Sequence, residues 1–479
     1  MLSIAARGAR STVASGRTWL AGLLLFACAA PAVSGNGPDV IVGGTAVSGS
    51  NGSNQNDTVK WGSSGSITAY SIATTSCNVG TAQLQWVDST PAHPVIGQNM
   101  FRLKDGRFEQ IGQSWLKHAF CALSQNLCST SCQGTGCSTL GIGCSDPYTA
   151  SRNGSQSLLG PKYQVNAATG VFPYPHPSPS GNSTIRGRLQ VHTNDVTPSL
   201  NPGALYFVEG QYVTADDASF GNQNNNASWR QVTINSSLFL TTTGTTHQME
   251  PGILAWFNTD PTVNLAKVSV PNDGLFWLLY QVTDLGNGTW HYEYAIQNLN
   301  SDRSGQSFSI PIPAGVNVTN IGFHDVDYHS GDGIGGVNQD GTDWPGVVSG
   351  GSLTWATTDF ATDQNANALR WGTLYNFRFD ADVPPESGAA TLGLFKPGTP
   401  TSATAAIQVP SVPTVCACLG DVDGSNTIDG GDIQLFVDMA VGGSPVDPCA
   451  EVAAPDGVPL DMADVSAMVS LLLAGTPCP

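Results

Sequence analysis

WLLYQVTDLGNGTWHYEYAIQNL, from Trp277 to Leu299, is the stretch of this chain that decides its fold class. In its middle, Leu285-Gly286-Asn287-Gly288 separates two runs of alternating apolar and polar residues, which is a strong signal of a hairpin turn. Successive side chains of a strand point to opposite faces. The second run therefore has two unlike faces, one with Trp290, Tyr292, Tyr294 and Ile296 and the other with His291, Glu293, Ala295 and Gln297.

The region from Val40 to Pro397 has the same character. It has short alternating runs, many Gly, Ser, Thr and Asn residues, and little helical periodicity apart from a possible short helix at 113–118. Many short strands joined by Gly/Asn turns predict β-sandwich architecture, and the region is long enough for two β units. Further predicted strands lie at 101–112 (a hairpin turning at Lys104-Asp105-Gly106), 203–214, 307–313, 317–326 and 373–382.

The predicted organisation begins with an export signal at 1–34. Basic residues precede an apolar run from Trp19 to Ala30, and small residues follow it. The run is short for a membrane span, so we expect cleavage and no transmembrane segment afterwards, with a lipoprotein signal at Cys28 as the alternative. The remaining parts are a cysteine-containing β region at 35–205, a β-sandwich-like region at 206–397, a linker at 398–415 and a small helical module at 416–479.

Cysteine usage agrees with export. Apart from Cys28, the cysteines form an early group of six and a tail group of four, which predicts three and two disulfides made outside the cytoplasm. A zinc site at 128–144 is the alternative, but the cysteines there do not form two regular Cys-x-x-Cys pairs. The early group is Cys77, Cys121, Cys128, Cys132, Cys137 and Cys144, and the tail group is Cys416, Cys418, Cys449 and Cys478.

The charge balance argues against one class of partner. Acidic residues outnumber Lys and Arg by 36 to 18, and only 11% of the chain is charged. Such a surface repels phosphate backbones, so no nucleic-acid binding is expected. An acidic surface favours calcium binding. It is also typical of a secreted, extracellular or cell-surface protein whose partners or matrix are organised by calcium.

A calcium loop is predicted by GDVDGSNTIDGGDI, Gly420 to Ile433. Calcium takes about six to eight oxygen ligands, and a 12-residue EF-hand-like loop supplies them from alternate positions. Gly424 allows the tight turn, and an apolar-faced helix begins at the end of the loop. A solvated surface turn is the alternative. With Asp421 at position one, the predicted metal ligands are Asp421, Asp423, Ser425, the Thr427 carbonyl, Asp429 and Asp432.

The loop and helix are repeated 32 residues later, where Asp464 corresponds to Asp432. The second loop has lost its first three side-chain ligands, so we expect one strong calcium site. We expect the second helix to remain as a packing partner for the first, because each repeat alone is too small to be stable. At positions one, three, five, nine and twelve, the second loop has Ala453, Pro455, Gly457, Asp461 and Asp464.

With this duplication, residues 416–479 resemble a type I dockerin, the paired loop-helix module by which secreted enzymes dock onto cohesin domains. The resemblance implies Ca²⁺ and a docking partner. Positions ten and eleven, which face the partner in dockerins and are typically polar, are Gly430-Gly431 and Met462-Ala463. A cohesin-like protein and a different docking protein therefore both remain open, as does a role for the tail as a stable cap. Disulfides Cys418–Cys449 and Cys416–Cys478 are one possible pairing.

Segments at 300–313, 324–333 and 369–382 are similar to those of exported bacterial proteins with dockerin-like tails. That similarity implies no activity for the β region.

Two polar sets in the β region are candidates for chemistry. One segment could supply imidazole and carboxylate metal ligands, although strand alternation separates them and a polar loop or calcium-binding turn is the alternative. Four carboxylates could supply the acid pair of a glycoside hydrolase. The scattered His93, His118 and His192 suggest no site. The first set is His324, Asp325, Asp327, His329 and Asp332, and the second is Glu209, Asp216, Asp217 and Glu293.

The sequence leaves two functions open. One is a non-catalytic modular protein whose β domains bind a surface, a matrix or a polysaccharide; the other is a polysaccharide-degrading enzyme docked by its tail. No catalytic motif decides between them. Tryptophans could stack on sugar rings, but most are expected in the core. Those of the second half are Trp256, Trp277, Trp290, Trp344, Trp355 and Trp371.

Overall fold

The computed structural model describes residues 36–45, 57–118, 121–129, 131–411, 418–442, 449–450, 452 and 460–474. The predicted export signal, 1–34, lies outside these residues. No helix in the described ranges is long and apolar enough to cross a membrane.

The first half of the chain builds mainly one large antiparallel sheet, with the order β15-β14-β13-β6-β7-β12-β3-β2 and with β8 and β11 attached through β6. A second sheet has the order β1-β4-β10, and β5 pairs with β9. Two short helices belong to this half, α1 (Ala150–Asn153) and α2 (Ala215–Ser219). The strands are β1 (Val40–Gly44), β2 (Thr58–Ser64), β3 (Ile67–Ile72), β4 (Thr74–Asn78), β5 (Leu84–Gln85), β6 (Val95–Lys104), β7 (Arg107–Gln113), β8 (Leu116–His118), β9 (Thr139–Leu140), β10 (Ser145–Tyr148), β11 (Leu159–Gly160), β12 (Leu189–His192), β13 (Leu205–Val213), β14 (Ala227–Ile234) and β15 (Leu240–Thr242).

The second half is a β-sandwich preceded by a short helix, α3 (Leu254–Thr259). Its two antiparallel sheets have the orders β16-β17-β18-β23-β20 and β21-β22-β19-β24-β25. The strands are β16 (Asn264–Ser269), β17 (Leu275–Asp284), β18 (Trp290–Asn298), β19 (Gly305–Pro311), β20 (Val318–His324), β21 (Gly346–Ser349), β22 (Ser352–Ala356), β23 (Thr373–Ala381), β24 (Pro385–Leu394) and β25 (Ser402–Pro410).

The predicted hairpin at 277–299 forms β17 and β18, which are inner strands of one sheet of the sandwich. Its register pairs Asp284 with Trp290 and Tyr280 with Tyr294. The face with Tyr292, Tyr294 and Ile296 is fully buried in the sandwich core, as the alternation predicts. The opposite face is also covered, because Ala295 packs in a second core against the large sheet. The register of a strand that is covered on both faces is strongly specified, because a slip by one residue would exchange the side chains of the two faces.

The second core joins the large sheet to the sandwich. Aromatic residues from β6, β7 and β13 pack there on aliphatic residues from β17, β18 and β23. Polar side chains supplement this contact, since the Asn376 amide donates to the Phe108 carbonyl at 2.9 Å and the Gln110 amide oxygen accepts from the Leu374 N–H at 2.6 Å. The residues in this core include Phe101, Phe108, Phe207, Leu279, Ala295 and Leu374.

The structure places two domain limits differently from the sequence prediction. Strands β13 to β15, assigned to the second unit by a boundary at 205, pair within the large sheet, so the change of sheet comes between Thr242 and Asn264. The predicted linker at 398–415 contains β25, whose register with β24 runs from Ser402–Gly393 to Pro410–Pro385. The possible helix at 113–118 is replaced by β8, which pairs with β6. In each case pairing with another strand, β6 for β13 and β8 and the preceding β24 for β25, outweighs local composition.

Disulfides account for the early cysteines. The pairs are Cys77–Cys128, Cys121–Cys137 and Cys132–Cys144. Three disulfides are therefore confirmed and the zinc alternative is excluded. In the tail, Cys418 and Cys449 are both disulfide-bonded, while Cys416 and Cys478 lie outside the described residues.

The tail is helical where it is described. Its helices are α4 (Gly430–Gly442) and α5 (Met462–Ala474). Phe436 from α4 and Met468 from α5 meet Val422 and Ala450 in a small core. A mainly β chain with a small helical region at its carboxyl end is thus confirmed, and the second helix packs on the first as expected.

Candidate metal centre

Three carboxylates of the tail converge. Asp421, Asp423 and Asp432 each present an oxygen, and these oxygens lie within 4.8 Å of one another. Within the described ranges, this is the one group of three or more His, Cys, Asp or Glu side chains close enough to share a metal ion. Asp421 and Asp432 are buried, whereas Asp423 is exposed.

Backbone hydrogen bonds hold Asp432 in the loop. Its Oδ1 accepts from the N–H groups of Val422 (2.7 Å) and Asp423 (3.0 Å), and its Oδ2 accepts from the Asp429 N–H (2.8 Å). Both oxygens of this buried side chain therefore have hydrogen-bond donors. Because Asp432 also lies in the first turn of α4, one side chain links the start of the loop to the helix.

Asp421 shapes the turn. Its Oδ1 accepts from the Ser425 N–H and its Oδ2 from the Asn426 N–H, both at 2.9 Å. The chain can curl this tightly because Gly424 and Asn426 have φ angles of 70° and 64°. The Ser425 hydroxyl and backbone N–H hold the pKa of Asp423 below its usual value.

The other predicted ligands line the same loop. The Ser425 hydroxyl lies 3.2 Å from the Thr427 carbonyl oxygen and 2.9 Å from its hydroxyl. Asp429 Oδ1 accepts from the Gly431 N–H at 2.8 Å. A Cβ on Gly431 would lie 2.6 Å from Asp423 Oδ2, so a side chain at this position would displace that carboxylate. An all-oxygen donor set, with space that a single methyl group would fill, fits a hard cation such as calcium.

The second loop is built differently. Asp461 Oδ1 accepts from the Ala463 N–H at 2.6 Å, and Asp464 Oδ2 accepts from the Asp461 N–H at 3.1 Å. Asp461 and Asp464 therefore make the same backbone hydrogen bonds at the start of α5 that Asp429 and Asp432 make at the start of α4. The positions at which the first three side-chain ligands are lost, 453–457, lie outside the described residues.

The His/Asp segment of the β region does not converge on one point. Asp325 accepts from the Asn367 amide, Asp327 contacts His192 Nε2, and His329 Nε2 lies 2.7 Å from the Gln113 carbonyl oxygen. The remaining two point elsewhere, since His324 lies 3.9 Å from Glu109 and Asp332 accepts from the His329 N–H. The pKa of Asp325 is raised to about 7, mainly by burial and to a smaller extent by the neighbouring Asp343 and Asp327 carboxylates.

The four carboxylates considered for glycoside hydrolysis are bound to different structural partners. Glu209 is buried and accepts from Asn99, Gln297 and the Gly252 N–H. Asp217 accepts from the Val40 N–H and from Asn226, both at 2.9 Å, and Asp216 accepts from the Gln85 N–H. Glu293 lies 3.2 Å from Arg107 Nε and 3.3 Å from His291. Each of these carboxylates is held by its own partners within residues 40–410, the part of the chain that contains β1 to β25 and that we call the β body.

Two histidines that are distant in sequence are neighbours in the fold. His118 stacks on His176 with ring centroids 3.7 Å apart, and His93 meets His118 edge-on at 5.7 Å. Burial lowers the pKa of His118 to about 3. Nothing in the sequence signals this cluster, because it depends on His118 of β8 meeting His176, which lies 58 positions later in the chain.

Most tryptophans of the second half are core residues. Trp256, Trp277, Trp344, Trp355 and Trp371 are buried. Trp290 alone among the six is half-buried. Packing, rather than sugar stacking, explains these residues.

Comparisons with known proteins add no argument about function. The chain matches no protein-family model and no curated protein sequence. Two solved structures are similar at 10% identity and a TM-score of 0.15: one is of the exo-chitosanase CsxA of Amycolatopsis orientalis, and the other is of the exo-beta-D-glucosaminidase CsxA with inhibitors. The match covers 71% of this chain and spans a quarter (25%) of theirs. A similarity this low supports no conclusion about fold or activity.

Proposed function

We propose that this chain is a secreted or cell-surface protein in which a β body that binds a surface, a matrix or a polysaccharide carries a calcium-stabilised, dockerin-like docking tail. The observation that carries the proposal is the convergence of Asp421, Asp423 and Asp432 at the start of α4. Three carboxylates this close repel one another, and a bound divalent cation removes that repulsion. The three disulfides agree with folding outside the cytoplasm.

Calcium would be held by Asp421, Asp423, Ser425, Thr427, Asp429 and Asp432. When bound, it supplies charge neutralisation and a fixed loop shape, and no reaction is assigned to it. The loop then fixes the start of α4, whose Phe436 packs on Met468 of α5. Calcium binding would in this way stabilise the small core of the tail.

The docking role is supported by an exposed apolar surface on the two helices. On α4, Ile433, Val437 and Val441 follow one another at intervals of four residues and are exposed by 45%, 44% and 83%. On α5, Val469 and Leu473 are the residues 32 positions later, exposed by 49% and 84%. We refer to these five residues as the apolar ridges. A repeated exposed apolar surface is typical of an interaction site.

Calcium titration of the full chain by calorimetry tests the proposal. One tight site is expected, and Asp432→Ala should remove it because three backbone N–H groups and the cation lose their shared acceptor. Asp461→Asn is the matched control from the second loop and should leave the affinity unchanged. Two equal sites, or calcium binding that survives Asp432→Ala, would contradict the proposed site.

A further inference from the structure

One pocket in the β body is lined by three basic residues, although the chain as a whole is acidic. It has about 560 Å³ of empty space, part of it open to solvent. Its walls include Lys162, Arg370 and Lys396, although the whole chain has only 18 Lys and Arg against 36 acidic residues. We call it the cationic pocket and define it by these three residues with Trp371, Phe395 and Gln339.

Lys162 has neutral partners. Its Nζ donates to the Gln113 side-chain oxygen at 3.1 Å and to the Gly372 carbonyl at 3.3 Å, and it lies 5.7 Å from the ring centre of Trp371. Among the described residues, no carboxylate lies within 4 Å of it. Loss of solvent lowers its pKa to about 8. A desolvated ammonium without a paired acid favours an anionic ligand.

The guanidinium group of Arg370 is positioned by two aromatic rings and two backbone carbonyls. Its guanidinium lies 5.6 Å from the Tyr328 ring centre and 5.5 Å from that of Phe395. It donates to the carbonyls of Ala366 (2.8 Å) and Gln364 (3.1 Å). Neither contact neutralises its charge, and a guanidinium has five N–H donors in total. An ordered, unneutralised guanidinium in a pocket wall suits a carboxylate.

The walls of the pocket carry both cations and carboxylates. Lys396 is paired with Asp302 at 2.7 Å, and Asp332 is the second carboxylate in the walls. Three cations against two carboxylates leave the pocket positive, and burial raises the pKa of Asp332, which favours its neutral form. A carboxylate ligand would offset that positive charge.

From this arrangement we propose that the cationic pocket binds a sugar acid, a single hexuronate-type ring with one carboxylate. Lys162 and Arg370 face the carboxylate, and neutral groups such as Gln339 and Thr373 face ring hydroxyls. The inference rests on one part of the proposed function, namely that the β body binds a surface, a matrix or a polysaccharide. It does not depend on calcium binding by the tail.

Calorimetric titration of the full chain with D-glucuronate, and with D-glucose as the neutral match, tests this site. We expect millimolar binding of glucuronate and binding of glucose weaker by about tenfold. Lys162→Gln should weaken glucuronate by about tenfold, and Lys267→Gln, which removes an exposed lysine near Trp277, should have no effect. Equal binding of the two sugars, or of acetate and glucuronate, would overturn the proposal.

A second variant guards against misfolding as the cause of a loss. Asp302→Asn removes the acid paired with Lys396 and raises the net charge of the pocket, so glucuronate should bind about threefold more tightly. Unchanged or weaker binding in this variant would count against the site. Addition of a chelator should leave glucuronate binding intact, and Lys162→Gln should leave the calcium titration intact, so failure of one proposal is distinct from failure of the other.

Discussion

Asp432 shows how one residue organises the calcium loop. It accepts three backbone hydrogen bonds from residues on both sides of the loop and still points an oxygen at Asp421 and Asp423. A carboxylate has about four lone-pair sites, so three N–H donors leave room for a cation. The loop geometry and the charge convergence therefore depend on the same side chain.

Gly431 gives a sharper test of the loop than any of its carboxylates. Gly431→Ala should lower calcium affinity by about tenfold, because the added methyl group would come within 2.6 Å of Asp423 Oδ2 and displace that carboxylate. The measurement is calorimetric titration of the full chain with calcium.

The adjacent glycine provides the control. Gly430→Ala adds the same methyl group in the same helical turn, where nothing lies within 4 Å of it. The two variants share any gain in helix propensity. Equal affinities for the two would show that Asp423 does not bind the ion.

At the scale of elements, the β17–β18 hairpin ties the two cores together. Tyr294 lies in the sandwich core and its hydroxyl donates to the Gln408 carbonyl at 2.8 Å, so it also fastens β25. The neighbouring Ala295 belongs to the core against the large sheet. Removing a buried side chain from this hairpin should therefore lower the stability of the whole β body.

Tyr294→Ala should therefore lower the free energy of unfolding by about 4 kcal/mol, from the cavity and the lost hydrogen bond together. Denaturant unfolding followed by tryptophan fluorescence measures it. Leu285→Ala, in the exposed turn of the same hairpin, should change the stability by less than about 0.5 kcal/mol. A small effect at Tyr294 would contradict the buried face described for β18.

The apolar ridges of the tail are the element that we expect to dock. Val441→Asp combined with Leu473→Asp should abolish binding to a cohesin-like partner, because a charge would be buried against the partner on each of the two helices. Titration of the full chain against a panel of type I cohesin domains measures this. Calcium affinity should be unchanged in the double variant. Failure of the unmodified chain to bind any of them would contradict a cohesin-like partner.

At the scale of the whole molecule, buried carboxyls make stability depend on pH. Asp217 connects α2 to β1 through its bond to the Val40 N–H, and burial raises its pKa to about 7 from an ordinary value of 3.8. Because the folded pKa is the higher one, the contribution to stability is complete below pH 3.8 and is lost as the pH rises to about 7. The loss amounts to about 4 kcal/mol.

Asp217→Asn should remove this dependence. Relative to the unmodified chain, the variant should gain stability between pH about 4.5 and about 7.5, as measured by denaturant unfolding at both values with a chelator present. Leu285→Ala, in the exposed turn between β17 and β18, serves as the control and should keep the pH dependence of the unmodified chain. A parallel pH dependence in Asp217→Asn and the unmodified chain would show that this carboxyl does not titrate in the range.

The sequence by itself determined the features that depend on neighbouring residues. Period-two alternation gave the two faces of β18, Gly and Asn gave its turn, and the spacing of Asp421, Asp423 and Asp432 gave the convergent loop, because each arises within a few residues. The tertiary structure decided which strands pair with one another and which segments meet. β13 joins the large sheet through β6, β25 forms where composition resembled a linker, and Lys162 meets Arg370 in one pocket across 208 positions of the chain. Composition near a residue carries no record of which distant strand will lie beside it, since that choice is made by the burial of whole faces.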